Sequence, residues 1–520
     1  MLRRLVIALT TLLTLTGVVV VAGYLLIFAA GTDRAAAAVP ADADAYATVY
    51  LQPTTGQQLN LAAMLGQVPG FEDAAGLEQK LHEISARFLG MAGIDYEADV
   101  RPWLGNQLSA AAFTGATLDD APHLLLVIAV KDRARADAGL RRLAAARGLS
   151  PVAATYQGTP ISVDPTAAWA LLDDQLLVAG DRATLEAAVD AAANRRPSLA
   201  DDAAFNAAMR RLPPDHLASA YLNLAAASAT TGTSAATSGY STLAVALIAE
   251  PQGLRLEGSA PFNRDAASET ARQAHALGSQ VATVTDWMPA DTQAAGVVFG
   301  LHGLLAEAER GLASQPAAAD IVSALNQLRA LAGFGLGINL DQDVLPLLDG
   351  ETGLSVTGLA TASPHGQLLV QPADPAAAAV TLQRIRDGLQ RLGASVSERA
   401  AGSVNVVSVT VPQVGSAAWA LTDGTIIIGL TDADVASAIQ AHEGGQSLAD
   451  AAGYPALWDL AGDRGGNELF VDIGSIVDAS PDALGMTGDA RDILLSINAL
   501  GLTVPARDDT SQLRAALTVR

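Results

Sequence analysis

Short motifs in the first half of this chain return, in the same order, in the second half. Val39-Pro40-Ala41-Asp42 recurs as Met288-Pro289-Ala290-Asp291, 249 residues later. Gly93-Ile94-Asp95 recurs as Gly337-Ile338-Asn339, followed each time by an aspartate (Asp99, Asp343) and a proline (Pro102, Pro346). Ala168-Trp169-Ala170-Leu171 recurs as Ala418-Trp419-Ala420-Leu421 at an offset of 250, and Ser198-Leu199-Ala200-Asp201 as Ser447-Leu448-Ala449-Asp450 at 249. Chance matches do not stay collinear over such a length. The sequence therefore predicts an internal duplication, with two homologous domains over 39–265 and 286–520.

Each copy mixes strands with helices. Tyr46 to Leu51, Gln107 to Phe113 and the apolar run His123 to Val130 read as strands. Asp132 can N-cap a helix through Arg147, whose Ala136, Leu140 and Leu143 share one face. Its counterpart runs from about Asp374 to Leu392, after the apolar Leu368 to Gln371. A hairpin follows in each copy, turning at Asp173-Asp174 and at Asp423-Gly424, the latter pair being suited to a two-residue type I′ turn. Asp181 and Thr431 stand at equivalent N-cap positions. Tyr221 to Leu224 and Phe470 to Ile473 read as strands, with two more closing each copy. The expected class is α+β: a mainly antiparallel sheet in each domain, with helices packed on one face. Residues 266–285 have helical spacing and read as a connector. Ala225 to Tyr240 and Ser475 to Asp489 read as loops at one corner of each domain.

Leu5 to Ala30 carries no charge and follows Arg3 and Arg4. At about 1.5 Å per residue that run reaches roughly 39 Å, enough to cross a hydrocarbon core of about 30 Å with some tilt. A cleaved signal peptide is the competing reading, but its apolar region would be only about 7–15 residues long. We therefore expect 1–38 to hold a cytoplasmic tip, a single-pass transmembrane anchor and a short linker. The leading arginines place the amino terminus in the cytoplasm. Either reading sends residues 40–520 across the membrane.

Composition narrows the partners. The net charge is −23, from 31 basic and 54 acidic residues, which argues against nucleic acid. Half the residues are apolar, so the chain can fill cores. The absence of cysteine removes disulfides, thiolate metal sites and cysteine nucleophiles. Lys80 and Lys131 are the only lysines.

The run Val39 to Ala43, the stretch Asp99-Val100-Arg101-Pro102-Trp103-Leu104-Gly105, and Ala168 to Gly180 together resemble a family of bacterial membrane-anchored envelope proteins, domain of unknown function 3352. The resemblance implies an anchored, extracytoplasmic protein and assigns no reaction, so no catalytic residue transfers. In the second copy Leu347-Leu348-Asp349-Gly350 departs from Trp103-Leu104-Gly105.

No motif supplies chemistry. Neither Gly-x-Ser-x-Gly nor Ser-x-x-Lys occurs. The seven histidines (His82, His123, His216, His275, His302, His365 and His442) include no His-x-x-x-His pair, so a zinc protease site is not expected. Gly333-Phe334-Gly335-Leu336-Gly337 lacks the Walker lysine and reads as a helix-ending loop. Asp95, Glu97 and Asp99 alternate, as do Asn339, Asp341 and Asp343. Alternating acids open a calcium loop, but the glycine and the bidentate glutamate of that loop are missing, so capping is the better reading. Trp169 and Trp419 read as core residues beside the hairpins. We expect no catalytic, cofactor or metal site. The function read from the sequence is a non-enzymatic, membrane-anchored binding or interaction module for an envelope protein or small ligand. Its rivals are a carrier of a lipid or other hydrophobic ligand, and an envelope hydrolase in which Asp173, Asp423, Asp95 or Asp99 converge on a cleft.

Overall fold

The computed structural model describes residues 33–68, 95–114, 122–146, 148–226, 239–313, 319–361, 364–413, 415–479 and 494–520. The expected anchor Leu5 to Ala30 lies outside these residues, as do most of the two expected corner loops. Among the described residues no single helix is long and apolar enough to cross a membrane. The chain divides into two compact units between Ser268 and Glu269.

In the first unit the described strands are β1 (Ala45–Tyr50), β2 (Leu104–Phe113), β3 (His123–Val130), β4 (Val152–Tyr156), β5 (Thr159–Asp164), β6 (Ala167–Leu171), β7 (Gln175–Ala179), β8 (Ala218–Asn223), β9 (Thr242–Glu250) and β10 (Gly253–Pro261). They pair antiparallel in the order β4-β5-β6-β7-β3-β2-β1-β8-β9-β10. The second unit contributes β11 (Ala294–Phe299), β12 (Glu351–Thr357), β13 (His365–Gln371), β14 (Ser395–Ala401), β15 (Val404–Val411), β16 (Gly415–Thr422), β17 (Thr425–Gly429), β18 (Glu468–Asp472), β19 (Ile497–Thr503), β20 (Ala506–Arg507) and β21 (Thr510–Val519). Their antiparallel order is β14-β15-β16-β17-β13-β12-β11-β18-β19-β21. Strand for strand, the two orders are the same. Among the described residues β20, a short hairpin partner of β21, is the strand without a counterpart.

Four described helices in the first unit are α1 (Thr55–Leu65), α2 (Arg133–Ala146), α3 (Arg182–Ala192) and α4 (Ala203–Met209). In the second they are α5 (Glu269–Leu277), α6 (Leu301–Ala313), α7 (Ala319–Leu331), α8 (Pro375–Arg391), α9 (Asp432–His442), α10 (Gly453–Ala461) and α11 (Ile473–Ala479). The helices flank the sheets on both faces, not on the one face expected. Leu125, Val127, Leu177 and Ala179 pack with Leu185, Ala188 and Val189 of α3. Their strand neighbours Ile128, Val130, Leu176 and Val178 point the other way and pack with Ala136 and Leu140 of α2. In the second unit Leu369 and Ile427 meet α9, while Val370 and Ile426 meet Ala378 of α8. The reason was present in β3: an apolar run without alternation belongs to a strand covered on both sides.

The repeated motifs meet in space. Pro40 bridges Ser198, and Leu199 donates its N–H to the Val39 carbonyl at 2.7 Å. Pro289 bridges Ser447, and Leu448 donates to the Met288 carbonyl at the same distance. Ser198 with Asp201 and Ser447 with Asp450 each close a capping box. Asp423 and Gly424 adopt φ of 46° and 76°, the left-handed pair that a type I′ turn requires. Two further elements differ from expectation. Residues 35–38 form a helical turn whose Ala35, Ala36 and Ala38 are buried in the first core, so this stretch is not a spacer. Within 266–285 the described α-helix is limited to α5, where His275 Nε2 bonds the Asp508 carbonyl at 2.8 Å and so docks α5 on the β20–β21 hairpin. Ser475 to Ala479, expected as loop, is part of α11, started by the Asp472 carboxylate on the Ser475 N–H.

Candidate functional site

Both units build a His–Asp–Thr cluster where the third strand begins beside a helix N-terminus. His123 and His365 open β3 and β13 at matching register. His123 Nδ1 lies 2.8 Å from Asp181 Oδ2, and His365 Nδ1 lies 3.2 Å from Asp434 Oδ1. Asp181 is the N-cap of α3 and accepts the Thr184 hydroxyl at 2.7 Å. In α9 the order is reversed: Thr431 is the N-cap and gives its hydroxyl to Asp434 at 2.8 Å. Burial pushes the Asp181 carboxyl up, but the N–H and hydroxyl of Thr184 and the His123 imidazole outweigh it and hold it below the usual range. The carboxylate stands between imidazole and hydroxyl, and both donate to it. A nucleophile would need its hydroxyl on the imidazole instead. The cluster is a helix cap carrying an imidazole, not an acyl-transfer triad.

A second matched site lies inside. Asp33 accepts the N–H groups of Ala35 and Ala36, the Tyr46 hydroxyl at 2.8 Å and the Gln107 amide. Gln107 Oε1 in turn accepts the Arg34 N–H at 3.2 Å. In the second unit the place of Asp33 is taken by Ala282, and that of Gln107 by Glu351. Glu351 itself accepts the N–H groups of Thr283 and Val284 at 2.8 and 2.9 Å. A carboxylate, half-buried as Asp33 and buried as Glu351, caps the same turn in both units and comes from different places in the sequence. Burial and the adjacent Asp33 hold the Tyr46 phenol well above its usual value.

The second unit also buries an ion pair. Arg464 Nε meets Glu468 Oε1 at 2.8 Å, Tyr454 donates to Glu468 Oε2 at 3.1 Å, and the guanidinium lies 4.9 Å over the Tyr454 ring. Burial pushes the Glu468 carboxyl up against the lowering pull of Arg464.

The other sequence candidates do not converge. Asp95 caps the turn Tyr96–Val100, Glu97 takes Arg101 and Asp99 takes Arg142 at 2.9 Å. Asn339 caps the turn Leu340–Val344, Asp341 takes Arg329 and Asp343 takes Arg384. Among the described residues no group of three or more histidines and acids is placed to hold a metal. Asp173 is fully exposed and pairs with Arg133, while Asp423 lies 3.9 Å from His442. Trp169 packs into the cluster beneath α2, and Trp419 is buried on β16. His302 pairs with Asp349, and His442 stacks on Trp287 at 3.6 Å. Gly337, with φ of 70°, ends the turn after α7. His82 lies outside the described residues.

Two features escaped the sequence reading. A cavity of about 210 Å³ opens in the first unit, lined by Arg34, Gln52, Asn106, Lys131, Asp174 and Gln175 among others. On the second unit α6 and α7 bury none of their described residues and leave Leu304, Leu305, Ile321, Leu328 and Leu331 exposed. Phe334, just beyond α7, is 97% exposed. The spacing of these leucines in α7 was the available signal; nothing local marks the cavity, because its walls come from distant segments.

The family model described as a protein of unknown function, DUF3352, matches residues 5–519. The chain belongs to this family. The DUF3352 match runs through both units, so the motifs that carried the resemblance are part of a likeness over nearly the whole chain. No curated protein matches the chain. Three crystal structures of TP0453 share limited similarity with it. Crystal form III is 10% identical, with 48% of this chain and 88% of that one covered and a TM-score of 0.27. Form IV is 11% identical, with 43% and 79% covered and a TM-score of 0.26. Form I is 10% identical, with 49% and 89% covered and a TM-score of 0.26. Scores this low carry no argument about fold or function.

Proposed function

We propose that this DUF3352 protein is a membrane-tethered, extracytoplasmic binding module without a reaction of its own. In this reading a duplicated α+β domain is held beside the lipid by Leu5 to Ala30 and touches it through α6 and α7. The exposed apolar face of that helix pair is the observation that carries the proposal. An amphipathic helix lies in a lipid interface with its apolar side down. The segments Ala319–Leu336 and Leu340–Asp349 together have the length and apolar composition of a span but are bent by 86°, a shape suited to lying on a bilayer. In a chain of net charge −23, residues 301–336 carry Glu307, Glu309 and Asp320 against Arg310 and Arg329, so this stretch is nearly neutral. Neutral lipid is the fitting partner, since the acidic remainder is repelled by anionic headgroups. The same strand order in both units supports the duplication. The hydrolase reading gains no support, because Asp173, Asp423 and Asp99 each stand by a basic residue and Asp95 caps a turn, and the four do not share a cleft.

The cysteine-free sequence makes the test direct. The full chain carrying Phe334→Cys, labelled with a polarity-sensitive dye, is reconstituted in phosphatidylcholine vesicles, with Val152→Cys (68% exposed) as the control. The expected result is a blue shift and quenching by lipid-borne quenchers at 334 but not at 152. Equal responses at the two sites, or a response at 334 that follows protein concentration through self-association, would overturn the reading. A carrier is the second reading, favoured by the groove of about 630 Å³ between α6 and α7, lined by Leu312, Val322 and Ala330. It predicts a co-purifying hydrophobic molecule in native mass spectrometry.

A further inference from the structure

We propose that the first unit binds a small, polar carboxylic acid in the cavity above the β2 bulge, with Lys131 as its charge partner. This inference is independent of α6 and α7. The cavity exists because the β2–β3 ladder slips between Leu104 and Leu108. In the second unit the β12–β13 ladder starts only at Glu351 and Gln371, so the residues matching Leu104 to Asn106 lie before β12 in the turn Leu345–Asp349 and Gly350, and no strand slips there. A bulge re-aims side chains and loosens the sheet locally, and such irregularities gather at binding sites.

The polar groups around the cavity divide into two sets. Gln107 is saturated: its amide donates to Asp33, Thr48 and Ser109, and its oxygen accepts the Arg34 N–H. It makes a fixed floor. Gln52, Asn106 and Lys131 line the same space, and their side chains have no hydrogen-bond or ionic partner among the described residues. Lys131 and Arg34 bring two positive charges to the cavity, where Arg34 meets the Asp174 carboxylate at 3.8 Å and Asp33 stands behind the floor on Gln107. Two amides beside an ammonium suit a carboxylate that also carries hydroxyl or amide groups, because each amide both donates and accepts. At about 210 Å³ the space is smaller than the roughly 300–1,000 Å³ of pockets for drug-sized ligands, so the guest has few heavy atoms. The carboxylate is supplied either by a free acid or by the end of a short peptide.

The scarcity of lysine provides the readout. Reductive ¹³C-methylation of the full chain, which keeps the charge, labels Lys80, Lys131 and the terminal amine, and Lys131→Gln assigns the signal. Malate and alanyl-alanine are titrated separately, each beside its amide analogue, to distinguish the two sources. The proposal expects one of the acids to move the Lys131 signal saturably while the Lys80 signal and the amide analogue stay silent. Asn106→Ala and Gln52→Ala should each weaken that binding by roughly tenfold, the loss of one hydrogen bond to a charged group. No movement with either acid, equal movement of both lysine signals, or unchanged binding in both variants would overturn it.

Discussion

Phe205 and Tyr221 meet edge to face at 5.2 Å in the first unit, and Tyr454 and Phe470 do so at 5.1 Å in the second. The ring pair is the same and the hydroxyl has changed sides, which moves it to where Arg464 and Glu468 use it. Glu468→Gln should therefore cost about 3–5 kcal/mol in urea unfolding, since it leaves the Arg464 charge half-buried without its partner. Replacing Arg464 and Glu468 together by leucine should recover most of that loss. His216 gives the pH dependence. Burial pushes its pKa down, Nδ1 donates to the Pro213 carbonyl at 2.7 Å, and Nε2 is buried without a partner. The unfolded chain takes up the proton more readily than the folded one. Its contribution to stability is thus fully present above the unfolded value of about 6.5 and is lost as pH falls below it. Melting curves between pH 7.5 and 5 should show this loss, and His216→Phe should flatten it.

At the scale of elements, Asp181 with Thr184 and Thr431 with Asp434 are one cap written in two orders. Asp181→Ala should cost about 0.5–2 kcal/mol by denaturant unfolding. Asp181→Thr combined with Thr184→Asp should restore most of it, because the second unit uses that order; a double variant no better than the sum of the singles would refute the equivalence. Calcium tests the acidic turns. Each of Asp95, Glu97 and Asp99 already serves a backbone N–H or an arginine. Millimolar calcium should leave the melting temperature unchanged, and Asp99→Ala should destabilise equally with and without it. Much of this local structure was legible. Caps at Asp181, Thr431 and Asp374 and the turn at Asp423-Gly424 depend on neighbours within a few residues. The β4–β5 hairpin, which turns at Gln157 and Gly158 with φ of 49° and 85°, was not legible, because its strands are short and β4 is largely exposed. The cluster of Asp33 with Gln107 joins residues 74 apart, and no local pattern announces it; Tyr454, Arg464 and Glu468 are near in sequence, but their spacing does not show that a helix and a strand bring them together.

For the whole molecule, the orientation drawn from Arg3 and Arg4 has its own check. Protease added to intact spheroplasts should degrade 40–520 and spare the anchor; protection of the entire chain would reverse the topology. The repeated motifs were legible, and they are partners in space in each unit: Val39-Pro40 with Ser198-Leu199, and Met288-Pro289 with Ser447-Leu448. Placement of helices on both faces was harder to read, since it depends on which apolar neighbour of each strand residue is covered. The relocated carboxylate beneath the first helical turn has a further consequence, for recombination. A chimera that crosses from the first repeat to the second between residue 38 and β2 would bring Asp33 against Glu351, two carboxylates competing for one turn. The reciprocal chimera would join Ala282 to Gln107 and leave the turn with no carboxylate at all. The copies share an architecture, yet in this region they have ceased to be interchangeable parts.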